Sequence, residues 1–109
     1  MLVAFSVAPS GTSDPTGSVA AAVADAVRVV RSSGLPHSTD SMFTTVEGEW
    51  EECLDVVRRA CEAVGAHSDR VSLVLKADIR PGRTGEMQAK LDRLEAAVER
   101  AEGEPGRGQ

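Results

Sequence analysis

Apolar residues recur in this chain with two different periods, and the order in which those periods alternate restricts the fold more than any other feature. Leu2 to Ala8 sets Val3, Phe5 and Val7 against Ala4, Ser6 and Ala8, the period of a strand with one bulky face and one small face. Val19, Val23, Val27 and Val30 follow helical spacing up to Gly34, a residue suited to the left-handed turn that ends a helix. The loop between them runs from Pro9 to Ser18, with Asp14-Pro15 or Ser18 placed to start the helix. Phe43-Thr-Thr-Val-Glu47 reads as a strand, and His37 to Ser41 as a weaker one, hinged to it near Ser41 and Met42. Trp50, Leu54, Val57, Cys61 and Val64 form a second helical stripe that ends at Gly65. Arg70 to Ile79 returns to strand period, and Met87, Leu91, Leu94 and Val98 mark a third helix.

This order predicts an α+β fold: a ferredoxin-like βαββαβ antiparallel sheet with both principal helices on one face, plus a C-terminal helix. A chain of 109 residues has room for one core, so residues 1–100 are expected to form a single domain and residues 101–109 a flexible tail rich in Gly, Pro and charge. The far face of such a sheet has no cover of its own, and the Ala4, Ser6 and Ala8 row suits close approach of a second sheet. A homodimer or homotetramer is therefore expected.

A net charge of -5, with basic residues interleaved among acids, argues against nucleic acid as a partner. No apolar run approaches the length of a membrane span, and no basic start precedes an apolar stretch, so the chain reads as soluble and cytoplasmic. Cys53 and Cys61 lie eight residues apart on one helix, roughly 12 Å at the helical rise, too far for a disulfide.

The catalytic inventory is poor. His37, His67 and the two cysteines have none of the spacings that bring ligands to a metal ion. There is no nucleophile-elbow pattern, and the glycines match neither a phosphate loop nor a dinucleotide fingerprint, so no metal, cofactor or catalytic residue is expected. What remains is Thr44-Thr-Val-Glu-Gly-Glu-Trp50, where hydroxyls, an acid, a glycine and the single tryptophan meet at a strand-to-helix junction able to line a pocket. The plain alternative is structural: threonines favour strands, Gly48 permits a turn, the acids suit a helix start and Trp50 opens the apolar stripe.

That block, with Pro9-Ser-Gly-Thr12, Arg70-Val71 and Lys76-Ala-Asp-Ile-Arg80, resembles the YkoF-like thiamine-binding-protein family from about Leu2 to Val98. The matching positions are Pro9, Gly11 and Thr12, then Thr44, Glu47, Gly48, Glu49 and Trp50, then Lys76 and Asp78. The resemblance implies a ferredoxin-like fold, assembly through sheets, and binding of thiamine or its hydroxymethylpyrimidine moiety without catalysis. Two departures are Phe43, where many relatives have glycine, and Cys61-Glu62, where they have a His-Glu pair.

A flat aminopyrimidine hydrogen-bonds to hydroxyls and carboxylates and stacks on aromatic rings, while a thiazolium cation favours acidic or aromatic surroundings. The expected ligand contacts are accordingly Ser10, Thr12, Ser41 and Thr44 for polar bonds, Phe43 or Trp50 for stacking and Glu47 for charge. The competing functions are a self-associating structural or regulatory module without such a ligand, and a small ferredoxin-like enzyme.

Overall fold

The computed structural model describes residues 1–10, 17–82 and 84–103; for residues 17 and 18 only the helical backbone is described. Its elements run β1 (Leu2–Ser10), α1 (Gly17–Ser32), β2 (His37–Thr39), β3 (Thr44–Glu47), α2 (Trp50–Gly65), β4 (Arg70–Asp78) and α3 (Glu86–Gly103). The strands form one antiparallel sheet in the order β2-β3-β1-β4, the ferredoxin-like arrangement that the alternation of periods predicted.

Strand β1 is the spine. Its bulky face supplies Val3 and Phe5, which are buried together with Val46 of β3, Ala22, Ala26 and Val30 of α1, and Cys53, Val56, Val57, Ala60 and Val64 of α2. Burying an aliphatic or aromatic side chain of this size contributes about 1.5–3 kcal/mol, so this layer between sheet and helices is the main source of stability. Gly34, at φ +81°, ends α1 in the left-handed conformation that costs glycine nothing. At the start of α2, a Cβ added to Gly48 would come within 3.3 Å of the side chains of both Glu52 and Leu35, so a larger residue there would require those side chains to give way.

Several stripes differ from their sequence reading. On α2 the inward residues are Cys53, Val56, Val57, Ala60 and Val64, whereas Trp50 is 50 % exposed and Leu54 40 %. On α1, Ala22 and Ala26 are buried while Val19 and Val23 are open. The cause is common to both helices: close packing against a sheet and a neighbouring helix selects small side chains at the tightest approach, and periodicity alone weighs residues by hydrophobicity rather than by fit.

Strand β1 also extends beyond Ala8. Pro9 and Ser10 pair with Val71 and Arg70 of β4, although β3 accompanies β1 only as far as Phe5 opposite Thr44. Pro9 can sit in a strand there because its other side has no strand partner to require an N–H. The helix start expected at Asp14-Pro15 lies outside the described residues, as does the tail from residue 104; α3 itself continues through Gly103.

Strand β4 is an edge, and both of its faces are open. Leu73 and Leu75 stand opposite Val7 and Phe5 on the helix side, Val74 opposite Ser6 on the other, and all three leucine or valine side chains remain exposed. The α3 stripe of Leu91, Leu94 and Val98 is exposed as well. Among the described residues, no helix is long and apolar enough to cross a membrane.

Candidate functional site

The early end of β3 and the late half of β1 enclose a cleft against α1. Because β3 leaves β1 after Phe5, the segment Ser6 to Ala8 has a free flank, and the tip of the β2–β3 hairpin folds over it. The resulting hollow has a volume of about 240 Å³ and is lined by Phe5, Val7 and Ala8, by Val23 and Val27 of α1, and by residues 39 to 44. That volume lies below the usual 300–1,000 Å³ of drug-sized sites and matches one substituted ring rather than two.

The hairpin tip is shaped by Asp40. Its Oδ1 accepts hydrogen bonds from the backbone N–H of Met42 at 2.8 Å and of Phe43 at 2.9 Å, while its own N–H donates to the Phe43 carbonyl at 3.0 Å. This side-chain turn is a common use of Asp, whose short carboxylate reaches the amides two and three residues on. The Phe43 and Met42 bonds hold the Asp40 carboxyl below the usual carboxylate range, so it is ionised at neutral pH. Beside it, the Thr39 and Thr44 hydroxyls lie 3.3 Å apart across the strand pair. The cleft therefore combines an apolar floor, an aromatic ring at Phe43, hydroxyl groups and one carboxylate.

Of the seven residues expected to bind a ligand, Ser41, Phe43 and Thr44 line this cleft together. Ser10 ends β1 nearby and its carbonyl accepts the Ser68 hydroxyl at 2.9 Å, without lining the hollow. Thr12 lies outside the described residues.

Glu47 and Trp50 are elsewhere. Glu47 is three residues from Thr44, an odd step that turns it to the opposite face of the sheet and about 10 Å along the strand. There it is buried, and its Oε2 accepts the Glu86 N–H at 2.7 Å and its Oε1 the Met87 N–H at 3.4 Å, which satisfies the first amides of α3. Trp50 borders a separate hollow with Met1, Glu49, Ile79 and Arg80.

The sequence reading missed Asp40, Met42, Val23 and Val27 as lining residues. The signal available for Asp40 was its place before Ser-Met in a turn, a pattern that suggests structure before it suggests recognition.

Fold and cleft together define a ferredoxin-like α+β domain with a ring-sized hollow at one end of its sheet. A family model described as thiamine-binding protein matches residues 3–95, and the chain belongs to that family. The chain is 50% identical over 103 residues to UPF0045 protein Mb1933 of Mycobacterium bovis, covering 94% of this chain and 98% of that protein. Among solved structures it is similar to a domain of unknown function, DUF77, from Bacillus cereus, at 32% identity and a TM-score of 0.69, covering 80% of this chain and 84% of that one. A Thermotoga maritima protein, whose description proposes thiamine biosynthesis or salvage, superposes with a TM-score of 0.67 at 27% identity, covering 84% of this chain and 97% of that one.

Proposed function

We infer that this protein is a non-catalytic binder of thiamine or of its hydroxymethylpyrimidine moiety, and that the pyrimidine ring occupies the cleft at the hairpin tip. The observation that carries this reading is the union, in one ring-sized hollow, of Phe43, the Thr44 and Ser41 hydroxyls and an apolar floor from Phe5, Val23 and Val27. A flat ring with hydrogen-bonding edges needs those three kinds of surface at once. Membership of a family named for thiamine binding supports the same ligand class.

Isothermal titration with thiamine, its phosphates and hydroxymethylpyrimidine tests this. Saturable binding in the micromolar range or tighter is expected, with hydroxymethylpyrimidine retaining most of the affinity because the cleft holds one ring. Absence of heat with every one of these compounds would remove the reading.

The binder works as a homodimer or homotetramer in this proposal. Leu73, Val74 and Leu75 on an edge strand and Leu91, Leu94 and Val98 on α3 are exposed apolar side chains that a second copy of the chain would cover. Light scattering should return a multiple of the 11.4 kDa chain mass, and Leu91→Glu with Leu94→Glu should lower it. A monomer in the unaltered protein would refute the assembly without touching the ligand.

A further inference from the structure

The acids at the far end of the sheet are already engaged. Glu47 accepts the first amides of α3, Glu52 accepts the Glu49 N–H at 3.0 Å, and Asp78 is paired with Lys90. Asp40 differs because it lines the cleft and because both of its backbone donors converge on Oδ1. Its Oδ2 has no hydrogen-bond partner among the described residues, and it is held at the rim by the bonds that fix its sister oxygen.

We propose that Asp40 is a specificity-determining residue, whose Oδ2 accepts a hydrogen bond from an exocyclic amino group of the bound ring and so selects an amino-bearing heteroaromatic over its oxo counterpart. This rests on the ring-binding reading of the cleft. An ionised carboxylate has acceptors only, so an amino group is a partner for it and a carbonyl oxygen is a repulsion. The turn supplies the preorganisation: with Oδ1 pinned by two amides, the carboxylate needs little further ordering when the ligand arrives.

The test compares hydroxymethylpyrimidine bearing its amino group with the analogue in which an oxo group replaces it, by titration against the unaltered protein and against Asp40→Asn. The unaltered protein should favour the amino compound by about tenfold, as a hydrogen bond to a charged group implies. In Asp40→Asn the amide oxygen is required by the Met42 and Phe43 N–H groups, so the NH2 takes the place of Oδ2 and becomes a donor. The preference should then shrink to parity or reverse toward the oxo compound, while the melting temperature stays near that of the unaltered protein. Asp40→Ala, which deprives both amides of their acceptor, should melt lower.

Amino and oxo compounds bound equally by the unaltered protein would overturn the role of Asp40, whatever the variants do. An amino preference that persists unchanged in Asp40→Asn would overturn it as well, leaving the cleft's ring binding intact. Failure of the unaltered protein to bind either compound would overturn the ring-binding reading, and the selection by Asp40 with it.

Discussion

The two ends of β3 differ in what they do with polar groups. At the Thr44 end, hydroxyls and the Asp40 carboxylate lie at a rim that α1 and the hairpin leave open. At the Glu47 end, a carboxylate is buried and spent on the backbone amides of a helix. Polar atoms left with spare capacity beside a hollow can recognise a ligand; polar atoms saturated inside the fold hold elements in place. In the proposed reading, two residues only three positions apart serve recognition and anchoring, separated by the alternation of strand faces.

The largest effect that would break this contrast is expected at the anchoring end. Glu47→Ala leaves the first amides of α3 without an acceptor in a buried place and should cost about 1.5–3 kcal/mol, the range for hydrogen bonds to a charged group. Denaturant unfolding should register the loss and hydrogen exchange should locate it in the first turn of α3, with ligand affinity nearly unchanged. A fall in affinity comparable to the fall in stability would mean that the two ends are not separate.

At the recognition end the expected balance is inverted. Thr44→Val keeps the shape of a strand residue and removes its hydroxyl, so affinity for hydroxymethylpyrimidine should drop about fivefold, near 1 kcal/mol, with little change in melting. Trp50 sits by Met1 and Ile79, roughly 13–23 Å along β1 from the residues that line the cleft, so its emission should stay flat as ligand is added. A strong quenching of Trp50 on binding would place the ligand at the other end of the sheet.

The smallest effect concerns how the recognition end is braced. His67 Nε2 lies 2.7 Å from Asp25 Oδ2, tying the α2–β4 connection to α1, and the neighbouring Ser68 hydroxyl donates to the carbonyls of Ser10 and Arg70. The His67 hydrogen bond, with help from Arg28, holds the Asp25 carboxyl below its ordinary value. A carboxyl depressed in the folded state stabilises above its unfolded pKa, about 3.9, and loses that contribution as pH falls through the folded value. The stability difference between the unaltered protein and Asp25→Asn should therefore shrink as pH falls through the acid range and vanish once the carboxyl is protonated. A difference that grows on acidification would contradict this sign.

How much of this was legible beforehand varies by element. The strand at Leu2, the hairpin hinge near Ser41 and Met42, and the three helices follow from local periods and turn chemistry, which act within a few residues. The inward faces of α1 and α2 differ from the periodic stripes by one step of rotation, because Trp50, Leu54, Val19 and Val23 dominate a hydrophobic pattern that gives little weight to Ala22, Ala26, Cys53 and Ala60, which pack inward. Ser41, Phe43 and Thr44 line one cleft because they are neighbours on one hairpin. Glu47 and Trp50 were joined to them on the strength of adjacency in sequence, which the face alternation of β3 and the turn at Gly48 undo.

By itself the sequence determined the order of elements and hence the ferredoxin-like sheet, since period and turn residues are encoded locally and only one common topology fits that order. It also carried the family membership, through blocks dispersed from the first strand to the last. Tertiary structure alone decided which polar groups remain available, because a carboxylate's capacity depends on what packs against it. Asp40 and Glu47 are chemically alike along the chain; one accepts through a single oxygen at a rim and the other through both oxygens at the start of a helix, and only the fold distinguishes them.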